Sequence, residues 1–531
     1  MRRNRSLPAH RSGRGRIASD PNPALDVALI SGGDPRLALD PKRMNPYGTQ
    51  PCPRPDEISL SSSTASTISP RGYAAASAAF ERLQQARARG RFAPAFAELA
   101  DELRRAIRTE FDLPDAEVAL SPSGTDGALQ ALFLARGLLG RPVTSIVVAA
   151  DESGNGVPAA ASGRHFADAS SGGRAVVKGE PIAGLGCACV AVAARDGFGR
   201  ARLPAEIDAE VEGAAATAIA AGNGVVLHLM DHSKLGGGGP SLACVREIQA
   251  MAPGAVQVVV DACQARLGRA RLARHLDQGF LVLITGSKFF AGPPLSGALL
   301  VPESLQAGVA RIAAVPAGLC DYTARDDWPA CFAGIRTQLP ARQNVGQALR
   351  WVAAVEEIRA YFAVPELFRR LALAELAAAV PRHIARFPEF ALLPEPPGAD
   401  ADPDQDEFAV RTIFAFTAIG DGRALAFAQA RRLHQALNMD AAALGLGRVD
   451  GVAATPCHIG QPVAIADREG GTTGALRISA DARLVSESWA GAGDLVSTRQ
   501  LTERIGQVAT VFEKLRFLLS HLDRLDCIRV P

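Results

Sequence analysis

Short apolar, β-prone runs alternate with helix-length stretches through the middle of the chain, and this rhythm restricts the fold more than any other feature. The runs are Ser145 to Ala150, Cys189 to Ala193, Gly224 to Met230, Val256 to Val260 and Phe280 to Thr285. Alternation of this kind implies an α/β architecture, with a mostly parallel sheet between two layers of helices. Ala298 to Val301 follows the Pro-rich turn Gly292-Pro293-Pro294 and reads as one antiparallel strand of the same sheet.

Upstream, Arg71 to Glu110 is rich in Ala, Arg, Leu and Glu and reads as two helices. Val118-Ala119-Leu120 then leads into Ser121-Pro122-Ser123-Gly124-Thr125-Asp126-Gly127 and a further helix. Downstream, Ala341 to Ala363 predicts a long helix leaving the α/β domain. A smaller α+β domain follows, with strands near Thr412 to Phe416 and Ala475 to Ser479, and Leu501 to Leu522 as a closing helix. Pro394 to Glu407 is acidic and Pro-rich and reads as an exposed loop. The expected division is residues 1–55 as a poorly ordered arm, rich in Arg, Pro, Gly and Asp; 56–340 as the large domain; and 341–531 as connecting helix and small domain. A length of 531 residues leaves ample core for two domains.

A net charge of +2 argues against a nucleic-acid partner, because phosphate binding relies on concentrated positive charge. No apolar stretch reaches the roughly 20 residues that span a bilayer, so no membrane partner is expected. The Arg-rich start, Met1 to Arg16, lacks the apolar core of a secretory signal. The nine cysteines are scattered, and Cys187-x-Cys189 has neither zinc nor disulfide spacing. They read as reduced thiols of a cytoplasmic protein with no metal site. The expected partners are small molecules and a second copy of the chain.

Two of the apolar runs end in chemistry-bearing groups. Val258-Val259-Val260 ends in Asp261, and the run from Phe280 ends in Thr285-Gly286-Ser287-Lys288. At the carboxyl edge of a parallel sheet, an amine and an acid of this kind meet the needs of a pyridoxal phosphate site. The cofactor takes an amine for a Schiff base and a carboxylate for its pyridine nitrogen. Taken singly, Lys288 also reads as a surface lysine and Asp261 as a helix cap. Ser123, Gly124 and Thr125, between a strand and a helix, suit a phosphate or a plain N-cap; Thr285 and Ser287 add hydroxyls beside Lys288. Gln264 stands where its amide can meet the cofactor's phenolic oxygen, or where it is merely solvated. Arg477, on the predicted strand Ala475 to Ser479, suits a substrate carboxylate or a surface charge. Lys234, in Asp231-His232-Ser233-Lys234, is a rival amine, and the small residues Ser59 to Ser66 are able to lie against a ligand.

The segments Val260-Asp261-Ala262-Cys263-Gln264-Ala265, Thr285-Gly286-Ser287-Lys288-Phe289-Phe290 and Leu476-Arg477-Ile478-Ser479 together resemble the class V aminotransferase branch of fold-type I pyridoxal phosphate enzymes. That branch includes cysteine desulfurases. Asn344, Gly346 and the stretch from Gly451 to Gln461-Pro462 fit the same pattern, so the resemblance runs over roughly residues 58–525. It implies that Lys288 forms the Schiff base, Asp261 pairs with the pyridine nitrogen and Gln264 with the phenolic oxygen. It assigns Gly124, Thr125, Thr285 and Ser287 to the phosphate and Arg477 to the substrate carboxylate. It also implies a homodimer, in which Thr337 reaches the neighbouring chain's phosphate. Two departures stand out. Where desulfurases stack a histidine on the cofactor ring, this chain has Glu152, Ser153 and Asn155. The nearest match to their mobile cysteine, Cys457, is displaced by two residues. The expected activity is therefore an aminotransferase acting on an amino acid. A pyridoxal phosphate-dependent lyase or desulfurase is the alternative, and a non-catalytic binding protein on the same fold is the third reading.

Overall fold

The computed structural model describes residues 22–396, 406–446, 451–467, 469–491 and 495–527. Thirteen strands are described, beginning with the short β1, Ile58–Leu60. Seven then form one sheet: β2 (Glu117–Ser121), β3 (Val143–Val148), β4 (Ala188–Val192), β5 (Gly224–Met230), β6 (Val256–Ala262), β7 (Leu281–Thr285) and β8 (Gly297–Val301). Their order is β2-β8-β7-β6-β5-β3-β4. Every neighbouring pair is parallel except those that β8 makes with β2 and β7. The α/β architecture and the single antiparallel strand expected from the sequence are both present.

Except along the edge strand β4, both faces of this sheet are buried, which is why its inner strands are mostly apolar. Val258, Val260, Val282 and Ile284 belong to one core, while Val259, Leu281 and Leu283 belong to the other. The helices Pro70–Ala88 and Phe92–Phe111 match the two predicted from Arg71 to Glu110, and Val345–Phe362 matches the predicted long helix. The second sheet contains β9 (Phe390–Leu392), β10 (Ile413–Gly420), β11 (Arg423–Ala424), β12 (Cys457–Ala466) and β13 (Thr472–Ser479). It runs β1-β12-β13-β10-β11, with β9 also on β10. Strand β1 pairs parallel with β12, so a segment from before the large sheet completes the smaller one. The helix Leu495–Leu519 closes the chain's last third, as expected near Leu501 to Leu522. Residues 397–405 of the expected acidic loop lie outside the described residues.

The poorly ordered arm expected over residues 1–55 needs correction from residue 22 onward; residues 1–21 lie outside the described part. Pro23–Leu29 is a helix capped by the Asn22 side chain, and Leu25 and Leu29 are buried. What orders this segment comes from far along the chain. The buried Arg350 donates to Leu29 O at 2.8 Å, Ser31 O at 2.7 Å and Gly32 O at 3.2 Å, and to Leu295 O at 2.8 Å. Asn344 Nδ2 donates to Gly32 O at 2.7 Å. Gly346 permits the approach, because a Cβ there would lie 2.1 Å from Ser31 O. Removing the guanidinium leaves several buried carbonyls without a donor, at a net cost of roughly 3 kcal/mol. We therefore expect Arg350→Met to lower the unfolding free energy measured in urea by that amount, with a lower midpoint, and to expose residues 22–50 to limited proteolysis. A wild-type midpoint and cleavage pattern would remove this account of the segment's order.

Candidate active site

Because β2, β3, β5, β6 and β7 run the same way, the loops after them collect on one edge. There they line a cavity of about 1180 Å³ together with the segment after β1 and part of the second sheet. Ser123, Gly124, Thr125, Asp261, Gln264, Thr285, Ser287, Lys288 and Arg477 all line it. Every site residue expected from the sequence is thus brought to one place, except Thr337. Thr337 is exposed, donates to Gly334 O at 3.1 Å, and borders a separate hollow with Arg325, Ala333 and Arg336.

Lys288 follows β7 in a closed turn, in which Ala291 N donates to Lys288 O at 2.8 Å and Gly292 N to Gly286 O at 2.9 Å. Its Nζ donates to Thr64 O. Burial, with the positive charges of Lys234 and Arg477, lowers its pKa to about 7. The buried Asp261 is the last but one residue of β6 and accepts a hydrogen bond from Cys263 N at 3.1 Å. Burial raises its pKa above the usual carboxylate range despite that bond. Thr285 Oγ1 donates to Cys263 O at 2.7 Å, tying the turn that bears Lys288 to the loop that bears Asp261.

Gln264 Nε2 donates to Ser63 O at 3.1 Å, whereas its buried Oε1 has no partner among the described residues. An unpaired buried amide oxygen is costly unless a ligand completes it. Ser123 caps the helix Gly124–Leu139: its Oγ accepts from Asp126 N at 3.2 Å and from Arg36 Nη2 at 3.2 Å. A Cβ on Gly124 would stand 2.4 Å from Cys263 Sγ, so only glycine lets this helix start pack so close to the Asp261 loop.

Arg477 lies on the central strand β13, opposite Gly460 of β12 and Ala415 of β10. Its guanidinium donates to Gln461 O at 2.7 Å, Thr64 Oγ1 at 2.7 Å, and Ser63 O and Lys234 O at 3.3 Å each. No carboxylate pairs with it among the described residues. Burial lowers its pKa to about 9.

Where a ring-stacking residue was sought, Glu152 is already taken. It is buried, pairs with Arg195 Nε at 2.6 Å and accepts from Ser233 Oγ. Ser153 Oγ donates to Ala150 O at 3.0 Å, and Asn155 Oδ1 accepts from Lys234 Nζ at 3.1 Å. His232 binds Asp231 at 2.9 Å, and Asp231 is also paired with Arg271 at 2.7 Å. Burial pushes the Asp231 carboxyl up, but Arg271 and His232 outweigh it and hold the pKa at about 2. Cys457 is buried in β12, does not line the cavity, and has its thiol pKa raised to about 11 by burial. Arg36 was not visible in the sequence. It reaches the cavity on the segment that Arg350 anchors, with Nε 2.8 Å from Asp34.

No group of acids, histidines and cysteines placed to hold a metal occurs among the described residues. No helix there is long and apolar enough to cross a membrane.

A lowered amine pKa makes a specific prediction. The neutral, nucleophilic form of Lys288 becomes the major one above pH about 7, whereas a solvated lysine needs about pH 10.4. Acylation of Lys288, followed by peptide mass spectrometry, should rise with pH to half its maximum near 7. A midpoint above 9 would mean that the amine is solvated and not held among like charges.

No protein-family profile matches this chain, and no curated protein matches it in sequence. Solved structures do match it in shape. A phosphoserine aminotransferase from Cytophaga hutchinsonii is 13% identical, with a TM-score of 0.48 over 87% of this chain and 99% of that one. The glutamate decarboxylase domain of a diaminobutyrate-pyruvate transaminase and L-2,4-diaminobutyrate decarboxylase from Vibrio parahaemolyticus is 14% identical, with a TM-score of 0.45 over 86% and 81%. TDC of Oryza sativa, solved with PLP and tryptamine, is 14% identical, with a TM-score of 0.44 over 86% and 84%. At such identities and scores, the chemistry of this chain has to be read from its own cavity.

Proposed function

We propose that the cavity binds pyridoxal 5'-phosphate and that the protein is an aminotransferase acting on an amino acid. The observation that carries this reading is the convergence of Lys288, Asp261 and Gln264 on one cavity, with Arg477 facing it from the second sheet. The residues fit the group. The buried Gln264 Oε1 has no partner among the described residues, Gly124 lets the helix start pack close against the Asp261 loop, and the buried Asp261 carboxylate makes no ion pair among the described residues. When bound, the cofactor supplies an aldehyde for amine exchange and an electron sink for bonds at the substrate Cα.

The chain's own residues divide the remaining work. Ser123, Gly124, Thr125 and Ser287 hold the phosphate; Thr285 joins them by turning its hydroxyl away from Cys263. Asp261 holds the proton on the pyridine nitrogen, whose positive charge offsets the cost of burying the carboxylate. Gln264 fixes the phenolic oxygen. Arg477 binds the substrate α-carboxylate in place of some of its present carbonyl partners. Lys288 Nζ, neutral for much of the time near pH 7, would take the proton from the substrate Cα and deliver it to the cofactor's C4′ carbon. We also propose a homodimer, in which Thr337, which does not line its own chain's cavity, would reach the phosphate of the second copy.

Cleavage chemistry uses the same groups, but the thiol that a desulfurase needs finds no candidate in Cys457, which is buried outside the cavity. With cofactor and an amino acid supplied, turnover should require a keto acid as amino acceptor. Turnover without one, with release of carbon dioxide, pyruvate or sulfide, would replace transfer by cleavage.

Two variants test the binding roles. Titrating the purified chain with pyridoxal phosphate should produce a visible absorption band that is lost in Lys288→Ala, although Lys234 is intact. Survival of the band in that variant would move the amine to Lys234. Arg477→Ala should weaken amino-acid binding at least about 30-fold, the loss of a charge-assisted pair worth about 2 kcal/mol. Its cofactor affinity should change less than about threefold; equal losses for both would reject the substrate role.

A further inference from the structure

Lys234 is left without a task in the reading above. It follows β5 on the cavity edge, and among the described residues its Nζ has only the neutral Asn155 Oδ1, at 3.1 Å, as a hydrogen-bond partner. No carboxylate pairs with it among the described residues. The anion it feels most, Glu152, is held by Arg195 at 2.6 Å and by Ser233. Arg477 Nη1 donates to Lys234 O at 3.3 Å, so the two residues are joined by a hydrogen bond as well as by the repulsion of their charges. Burial and the Arg477 charge lower the Lys234 pKa to about 8. Lys234, Arg477 and Lys288 thus face one cavity, and each makes the others costlier to keep charged.

Three desolvated cations in one cavity call for anions from the ligand. The proposed function assigns one cation to the cofactor's aldehyde and one to the α-carboxylate. We propose that Lys234 binds a second acidic group, on the substrate's side chain, so that the substrate class is an amino acid with an anionic side chain. This rests on the aminotransferase reading for the word "substrate", but the preference belongs to Lys234 and Arg477 and is measurable without turnover. The pairing would turn mutual repulsion between Lys234 and Arg477 into a bridge through one bound molecule. An apolar side chain in the same place would leave the half-buried Lys234 amine with the neutral Asn155 and no counter-charge among the described residues.

The test uses non-reacting probes: glutarate and 4-phosphonobutyrate as diacids, and valerate as the monoacid of similar length. Calorimetry on the full chain, with and without pyridoxal phosphate, should show at least one diacid binding at least tenfold tighter than valerate. Which diacid wins identifies the acidic group as carboxylate or phosphate-like. Lys234→Gln should reduce that preference below about twofold while leaving valerate binding unchanged, and Lys234→Arg should retain it. No preference in the wild-type chain, or a preference that survives Lys234→Gln, would overturn the proposal. A visible band on cofactor addition with no diacid preference sinks this inference alone. A diacid preference without any such band sinks the cofactor reading and leaves the anion site standing.

Discussion

The common direction of six strands is the constraint on which the site depends. Parallel strands deliver their carboxyl ends to one edge, so residues separated widely in sequence arrive together without any one loop having to be long. Asp261 and Lys288 sit on adjacent strands of that edge, and the Thr285 hydroxyl ties their loops together. Strand β8 is reversed and sends its end the other way. In doing so it brings Gly297, at its start, beside Ser121 at the end of β2, under the Ser123–Thr125 turn. The second sheet adds what the first cannot, a guanidinium on a central strand that faces the edge from across the cavity.

Charge is the second organising element. The chain as a whole is close to neutral, yet Lys234, Lys288 and Arg477 face one cavity in which Glu152, the carboxylate that acts on Lys234 and Arg477, is already paired to Arg195, and Asp261 is the carboxylate that feels Lys288. Such an arrangement is poor for stability, since burial without counter-charge is costly. It suits binding, because an anionic ligand gains what the fold has forgone. The same environment keeps about half of Lys288 neutral near pH 7, and the neutral form is the one that acts as nucleophile or base.

Much of this was legible in the sequence, and the reasons are physical. Val256 to Val260 and Phe280 to Thr285 announced buried parallel strands because both their faces are covered, and the groups that end them marked the functional edge. Arg477 was legible because an arginine inside an apolar strand has to answer for its burial. Three things were not. Residues 22–55 lack any sustained apolar period, and their order comes from Arg350, Asn344 and Gly346, which no local pattern reveals. That hid Arg36, the guanidinium beside Ser123. Strand β1 is three residues long and exists only because β12 offers it a partner. The direction of a hydroxyl is also beyond sequence. Thr285 stands where a phosphate ligand was expected, but it donates to Cys263 O.

The central claim is that Lys288 is the amine that captures the cofactor in this cavity. Reduction of the pyridoxal phosphate-loaded protein with borohydride, followed by peptide mapping, tests it most directly. The account predicts one pyridoxyl adduct per chain, on the peptide that carries Lys288. An adduct on Lys234, adducts scattered over surface lysines, or none at all would contradict it.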